Sequence, residues 1–203
     1  NYSKSLEKQK LDNFESQLII GIYHLKNSNS DLAKKYFLRA QERDSRFILN
    51  NYISNSLYNW SNLSNLNQAK NELEGLNERF KNLKKIQNVF LNCYFVSPKT
   101  ENLFLEITLD QNTDFSRYNY FYAAYITSTG NIDYAKKIVK SALELFPRNL
   151  LLNQYKLDLD ENKNILSFNC KNKNHVIAEI LYIAANALST QSIFPQSNFY
   201  LNL

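Results

Sequence analysis

Compact apolar residues recur along this chain at a nearly constant interval. Ala33, Ala69, Leu103 and Ala135 are separated by 36, 34 and 32 residues. A helical bundle with one core has no reason to keep such a period. A stack of repeated helix pairs does, because each pair must offer the same seat to the next. Only 3 Gly and 3 Pro occur in 203 residues, too few for the turns of an all-β chain of this size. With 44% hydrophobic and 21% charged residues, the chain can bury a core and reads as folded.

The clearest unit covers residues 116–149. Ala123 and Ala135 are small where two helices of a pair would cross, and Ala142 is small toward the following unit. Gly130 supplies the positive φ that ends a helix. Asn131 and Asp133 cap the next helix and oppose its dipole, and Pro147 stops it. Val139 is the bulky residue between Ala135 and Ala142. The window from Phe14 repeats the pattern with Gly21, Ala33, Phe37 and Ala40, a turn at 27–30 and Asp31 after it. Two degenerate units lie between. One carries Ala69, Leu73 and Leu76 with Trp60 as its first-helix anchor; the other carries Leu103 and Ile107 with Pro98 near its turn. From His175 the pattern restarts, with Ala185 at the small position, Ser192 at the turn and Ser197 after it.

In this order and spacing, these residues resemble the tetratricopeptide repeat, and the last stretch resembles long bacterial proteins of that family whose repeats continue. The resemblance implies an all-α, right-handed α-solenoid of antiparallel helix pairs. It implies a single repeat domain over 1–203, a fragment of a longer chain. Repeats fall near 14–46, 50–82, 84–115 and 116–149, with a partial one at 175–203. The link at 150–174 opens with a short helix to Leu157 and reads as irregular from Asp158 onward.

Chemistry-bearing motifs are sparse. Cys93 and Cys170 stand far apart in sequence and read as two free thiols, with a single bridge left open. Asp158, Asp160 and Asn162 begin like a calcium loop, but its required Gly and bidentate Glu are Lys163 and Asn169, so an acidic solvated linker is expected. His24 and His175 have no metal-ligand spacing, and no Gly-rich phosphate loop exists. No catalytic residue, metal or cofactor is expected. Arg79, Lys81, Lys84 and Lys85 follow Glu72, Glu74 and Glu78, which reads as a solvated helix end. The cluster is too short for a nucleic-acid face, and the net charge of +5 permits acidic partners without demanding nucleic acid. Tyr118, Tyr120, Phe121, Tyr122 and Tyr125 fall at all angles around one helix and read mostly as core. The nearly apolar stretch from Ile180 to Leu188 is about half a membrane span.

In proteins of the resembled family, first helices of successive pairs line a concave groove. That resemblance places Tyr58, Lys85, Asn88, Asn92, Arg117, Tyr120, Tyr182 and Asn186 on it. Asn amides can bond the backbone of an extended peptide, Tyr gives contact area at small entropy cost, and Lys85 and Arg117 could receive a carboxylate. The expected function is a protein–protein interaction scaffold or adaptor that captures a peptide or helix, with no small-molecule substrate. Two alternatives stand beside it: a structural spacer or self-association module, and a regulatory domain of an enzyme. The compartment is left open between bacterial cytoplasm and periplasm.

Overall fold

The computed structural model describes residues 5–6, 8–9, 12–43, 47–110, 116–161 and 168–203. The described residues form eleven α-helices, one 3₁₀ turn and no strand. In chain order these are α1 (Phe14–Lys26), α2 (Ser30–Arg43), α3 (Ile48–Ser61), α4 (Leu66–Glu74), the 3₁₀ turn Glu78–Phe80, α5 (Lys81–Tyr94), α6 (Thr100–Thr108), α7 (Tyr118–Ser128), α8 (Ile132–Leu145), α9 (Leu150–Asp160), α10 (Lys173–Thr190) and α11 (Phe194–Leu201). The acidic stretch expected to be irregular from Asp158 is helical through Asp160. The Gln154 side-chain amide donates to Asp158 Oδ1 at 2.9 Å within α9, so neither aspartate belongs to a linker loop. Asn162 and Lys163 lie outside the described residues.

Helix starts explain part of the high Asn content. Asn13, Asn65, Asn131 and Asn149 each precede a helix, and each side-chain oxygen accepts a first-turn N–H, at 2.8, 2.9, 3.2 and 3.2 Å. This satisfies a donor the helix leaves open. Helix ends share a second device. Ser28, Val96, Gly130 and Ser192 have φ of 61°, 55°, 89° and 61°. At each, the next residue's N–H reaches the carbonyl five residues back: Asn29 to His24, Ser97 to Asn92, Asn131 to Ile126, and Ile193 to Leu188, at 2.8 to 3.3 Å. This is the Schellman closure of a helix. Three of the four left-handed residues, 28, 96 and 130, keep separations of 68 and 34, two and one multiples of the sequence period.

Contacts divide the chain into two compact units, residues 1–88 with 173–203, and residues 89–172; the division falls within α5. In the first unit, α1 packs on α2, α2 on α3, and α3 on α4. Gly21 is required where α1 meets α2, because a Cβ there would lie 2.5 Å from Cε1 of the fully buried Phe37. Ala33 and Ala40 are buried in the same packing. The C-terminal helices belong to this unit as well. Helix α10 packs on α11 and also on α3, more than a hundred residues earlier. The Tyr200 hydroxyl donates to Asn50 Oδ1 at 2.5 Å in the same unit.

Two polar assemblies lie inside the first unit. Trp60 Nε1–H donates to Gln87 Oε1 at 3.0 Å, and Gln87 Nε2 donates to the Tyr52 hydroxyl at 2.8 Å and Ser56 Oγ at 3.0 Å. All four residues are buried, so each polar atom needs these partners. Lys84, expected on a solvated helix end, is 6% exposed. Its ammonium donates to the Glu74 carbonyl at 2.9 Å and forms ion pairs with the carboxylates of Glu78 and Glu74. Burial alone would lower its pKa, but the bonds to Glu78 and Glu74 prevail and raise it. Lys84 thus clamps the turn after α4.

In the second unit, α6 packs on α7, α7 on α8, and α9 on both α7 and α8. Ala123, Ala135 and Ala142 are buried, as expected for crossing positions. Leu103 is only half-buried, and its neighbour Phe104 takes the core position. The core is aromatic. The Phe90 ring lies 4.9 Å from Phe168, 5.7 Å from Phe121 and 6.5 Å from Phe104. Phe104 stacks on Tyr122 at 5.6 Å. Tyr155 donates to Thr127 Oγ1 at 2.8 Å and so ties α9 to α7.

The expectation of two free thiols is corrected here: Cys93 and Cys170 form a disulfide, with Cα atoms 5.9 Å apart. That separation lies in the ordinary range for a bridge. The cause is visible in the rings beside them. Cys93 lies one helical turn after Phe90, Cys170 two residues after Phe168, and these two rings are in contact.

Candidate functional site

The eight residues assigned to the groove fall in both units. In the first unit Tyr58 on α3 and Asn88 on α5 are half-buried, whereas Lys85 is exposed. On α10, Tyr182, Asn186 and Ser189 are all exposed and follow one another at i, i+4 and i+7. That spacing makes one stripe along the helix. The opposite side is buried through Ile177, Ile180, Leu181, Ala184, Ala185 and Leu188. The stripe is thus the solvent side of a helix that α3 and α11 hold in place.

In the second unit the assigned residues serve the fold. Asn92 is fully buried, and its backbone carbonyl accepts the Ser97 N–H that closes α5. The Arg117 guanidinium lies 5.3 Å from the centre of the Phe121 ring, a cation–π contact. The Tyr120 hydroxyl accepts the Phe168 N–H at 3.3 Å, while its ring stands edge-on to Tyr155 at 5.0 Å. Sequence position alone could not separate these roles, because α7 is contacted by α6, α8 and α9.

The ionisable groups of this unit form one further network. The Tyr122 hydroxyl donates to a Glu101 carboxylate oxygen at 3.1 Å and lies 3.1 Å from the Tyr134 hydroxyl. Burial, the Tyr134 hydroxyl and the Glu101 charge push the Tyr122 phenol up. Burial first, then the Glu101 charge, pushes Tyr125 up as well. Both phenols remain protonated through the physiological range, so they act as donors and as core.

Among the described residues, no three His, Cys, Asp or Glu side chains gather as metal ligands, and no helix is long and apolar enough to cross a membrane. His24 is 7% exposed and stacks on Tyr36 with ring centres 5.4 Å apart. In comparisons with known proteins, no family model matches the sequence, and no curated protein or solved structure matches it.

Proposed function

We propose that this chain is an interaction scaffold of tetratricopeptide-like helix pairs, a right-handed solenoid that holds a peptide or helix of another protein. The observation that carries this reading is the exposed Tyr182–Asn186–Ser189 stripe of α10, a polar and aromatic ridge on a helix whose other side is fully packed. Tyr offers contact area with little entropy to lose, and Asn offers both a donor and an acceptor to a peptide backbone. The repeat assignment draws support from the recurring left-handed turns at 28, 96 and 130 and from the tight meeting of Gly21 and Phe37. Lys85, exposed on α5, adds a cation able to meet an acidic partner residue. No reaction is assigned. The buried Cys93–Cys170 bridge favours an oxidising compartment, the periplasm of the two that composition leaves open.

The test is affinity capture from lysate with the wild-type chain beside Tyr182→Ala/Asn186→Ala. A partner held by the first and lost by the second supports the stripe. A partner held equally by both contradicts it. The spacer reading has its own support in the packing of α10 on α3, which closes the first unit on itself. Sedimentation separates its two forms: a strict monomer removes self-association and leaves a rigid spacer.

A further inference from the structure

In the second unit, a cleft of ≈ 220 Å³ opens between α8 and α9. Its floor is the apolar pair Val139 and Leu159, 1% and 4% exposed, so most of the apolar surface open to a ligand is the methylene stems of the rim lysines. Its rim carries Lys136 and Lys140 from α8 and Lys156 and Asp160 from α9. Asp160 is already used, since its Oδ1 lies 3.6 Å from Lys136 Nζ. That pair also sets the register. Lys136 lies near the start of α8 and Asp160 at the end of α9, so the two helices run antiparallel along the cleft. One turn onward on α8 and one turn back on α9 bring Lys140 and Lys156 to the same level. Among the described residues, no carboxylate lines the cleft at that level. Two cations therefore share one mouth above an apolar floor, an arrangement that an incoming anion would relieve.

We propose that this cleft binds a small amphipathic anion, with its charged head between Lys140 and Lys156 and a short branched aliphatic group between the lysine stems, above Val139 and Leu159. The volume fits a small ligand, below the roughly 300–1,000 Å³ of pockets for drug-sized molecules. A carboxylate and a phosphate ester meet the same chemistry, since each offers acceptor oxygens to ammonium groups. The site is independent of the α10 stripe and involves no reaction.

The test is a chemical-shift titration of the full ¹⁵N-labelled chain at low ionic strength, where screening is weak. The probes are 4-methylpentanoate, isopentyl phosphate, the neutral 4-methylpentan-1-ol and inorganic phosphate. Either amphipathic anion should give saturable shifts confined to residues 136–143 and 152–160, and the tighter one identifies the head group. The variant Lys140→Gln/Lys156→Gln replaces two exposed side chains and should weaken that binding by about tenfold, as expected from losing two exposed charge contacts. Saturation by the alcohol with equal affinity would remove the lysines from the account. Equal affinity for inorganic phosphate would remove the apolar floor. Unsaturable shifts spread over lysine-bearing helices, or full affinity in the double variant with an unchanged circular dichroism spectrum, would overturn the proposal.

Discussion

The two units hold their helix pairs by different means. The first is discontinuous in sequence: α10 and α11 complete it by packing on α3, and its interior contains hydrogen-bonded polar groups centred on Gln87 and Lys84. The second is one continuous stretch, filled with aromatic rings and tied by the Cys93–Cys170 bridge. Closing the first unit requires contacts between residues 150 apart, such as Asn50 and Tyr200, whose loop-closure cost only packing can offset. The disulfide closes a 77-residue separation covalently and removes that entropy from the unfolded chain of the second. An all-helical unit can thus be closed by packing between distant segments or by a covalent bridge that spans most of its length.

The largest effect should come from this bridge. Cys93→Ser/Cys170→Ser should lower stability by roughly 2–4 kcal/mol, read as the denaturant midpoint of the oxidised protein against the variant. A change within error would make the aromatic core sufficient alone. Next is the polar centre of the first unit. Gln87→Leu strands the Trp60 N–H and the Tyr52 and Ser56 hydroxyls without their partner, and should cost about 1–3 kcal/mol by thermal unfolding. Gly21→Ala drives a methyl into the Phe37 ring and should cost about 1–3 kcal/mol, whereas adding Phe37→Leu should recover part of the loss.

A pH series sharpens the contrast. Burial raises the Tyr52 phenol in the first unit and the Tyr122, Tyr125 and Tyr155 phenols in the second. A phenol raised in the folded state gives its full stabilisation below the unfolded value, about pH 10, and loses it as pH rises from there toward the folded value. Stability should therefore fall above about pH 10. Hydrogen exchange corrected for intrinsic rate should show the steeper loss in α7 and α9 than in α3. Equal slopes would break the comparison. The smallest effect is a gain. Val96 is a β-branched residue at φ 55°, 70% exposed, so Val96→Gly should add about 1 kcal/mol by relieving left-handed strain.

Features imposed by local sterics were readable in the sequence. Gly21, Ala33, Ala123 and Ala135 had to be small, and Gly130 had to accept a positive φ. The turn at Val96 was hidden because its residue type argues against the left-handed conformation that the closure of α5 by the Ser97 N–H requires. Asn frequency alone marks no position, yet Asn13, Asn65, Asn131 and Asn149 each cap a helix. Distant contacts were not readable. Nothing in the spacing of Cys93 and Cys170 shows that Phe90 and Phe168 pack together beside them, and no period shows that α10 meets α3. The candidate surface was legible only in part. Tyr182, Asn186 and Lys85 are exposed, whereas Asn92, Arg117 and Tyr120 are engaged by the core of their own unit.

The most direct measurement is amide hydrogen exchange by mass spectrometry on the oxidised and the reduced protein. On reduction, α7 and α9 of the second unit should exchange faster, with α1, α2 and α3 of the first unchanged. A uniform rise across all helices, or no rise in α7 and α9, would contradict the contrast between the units.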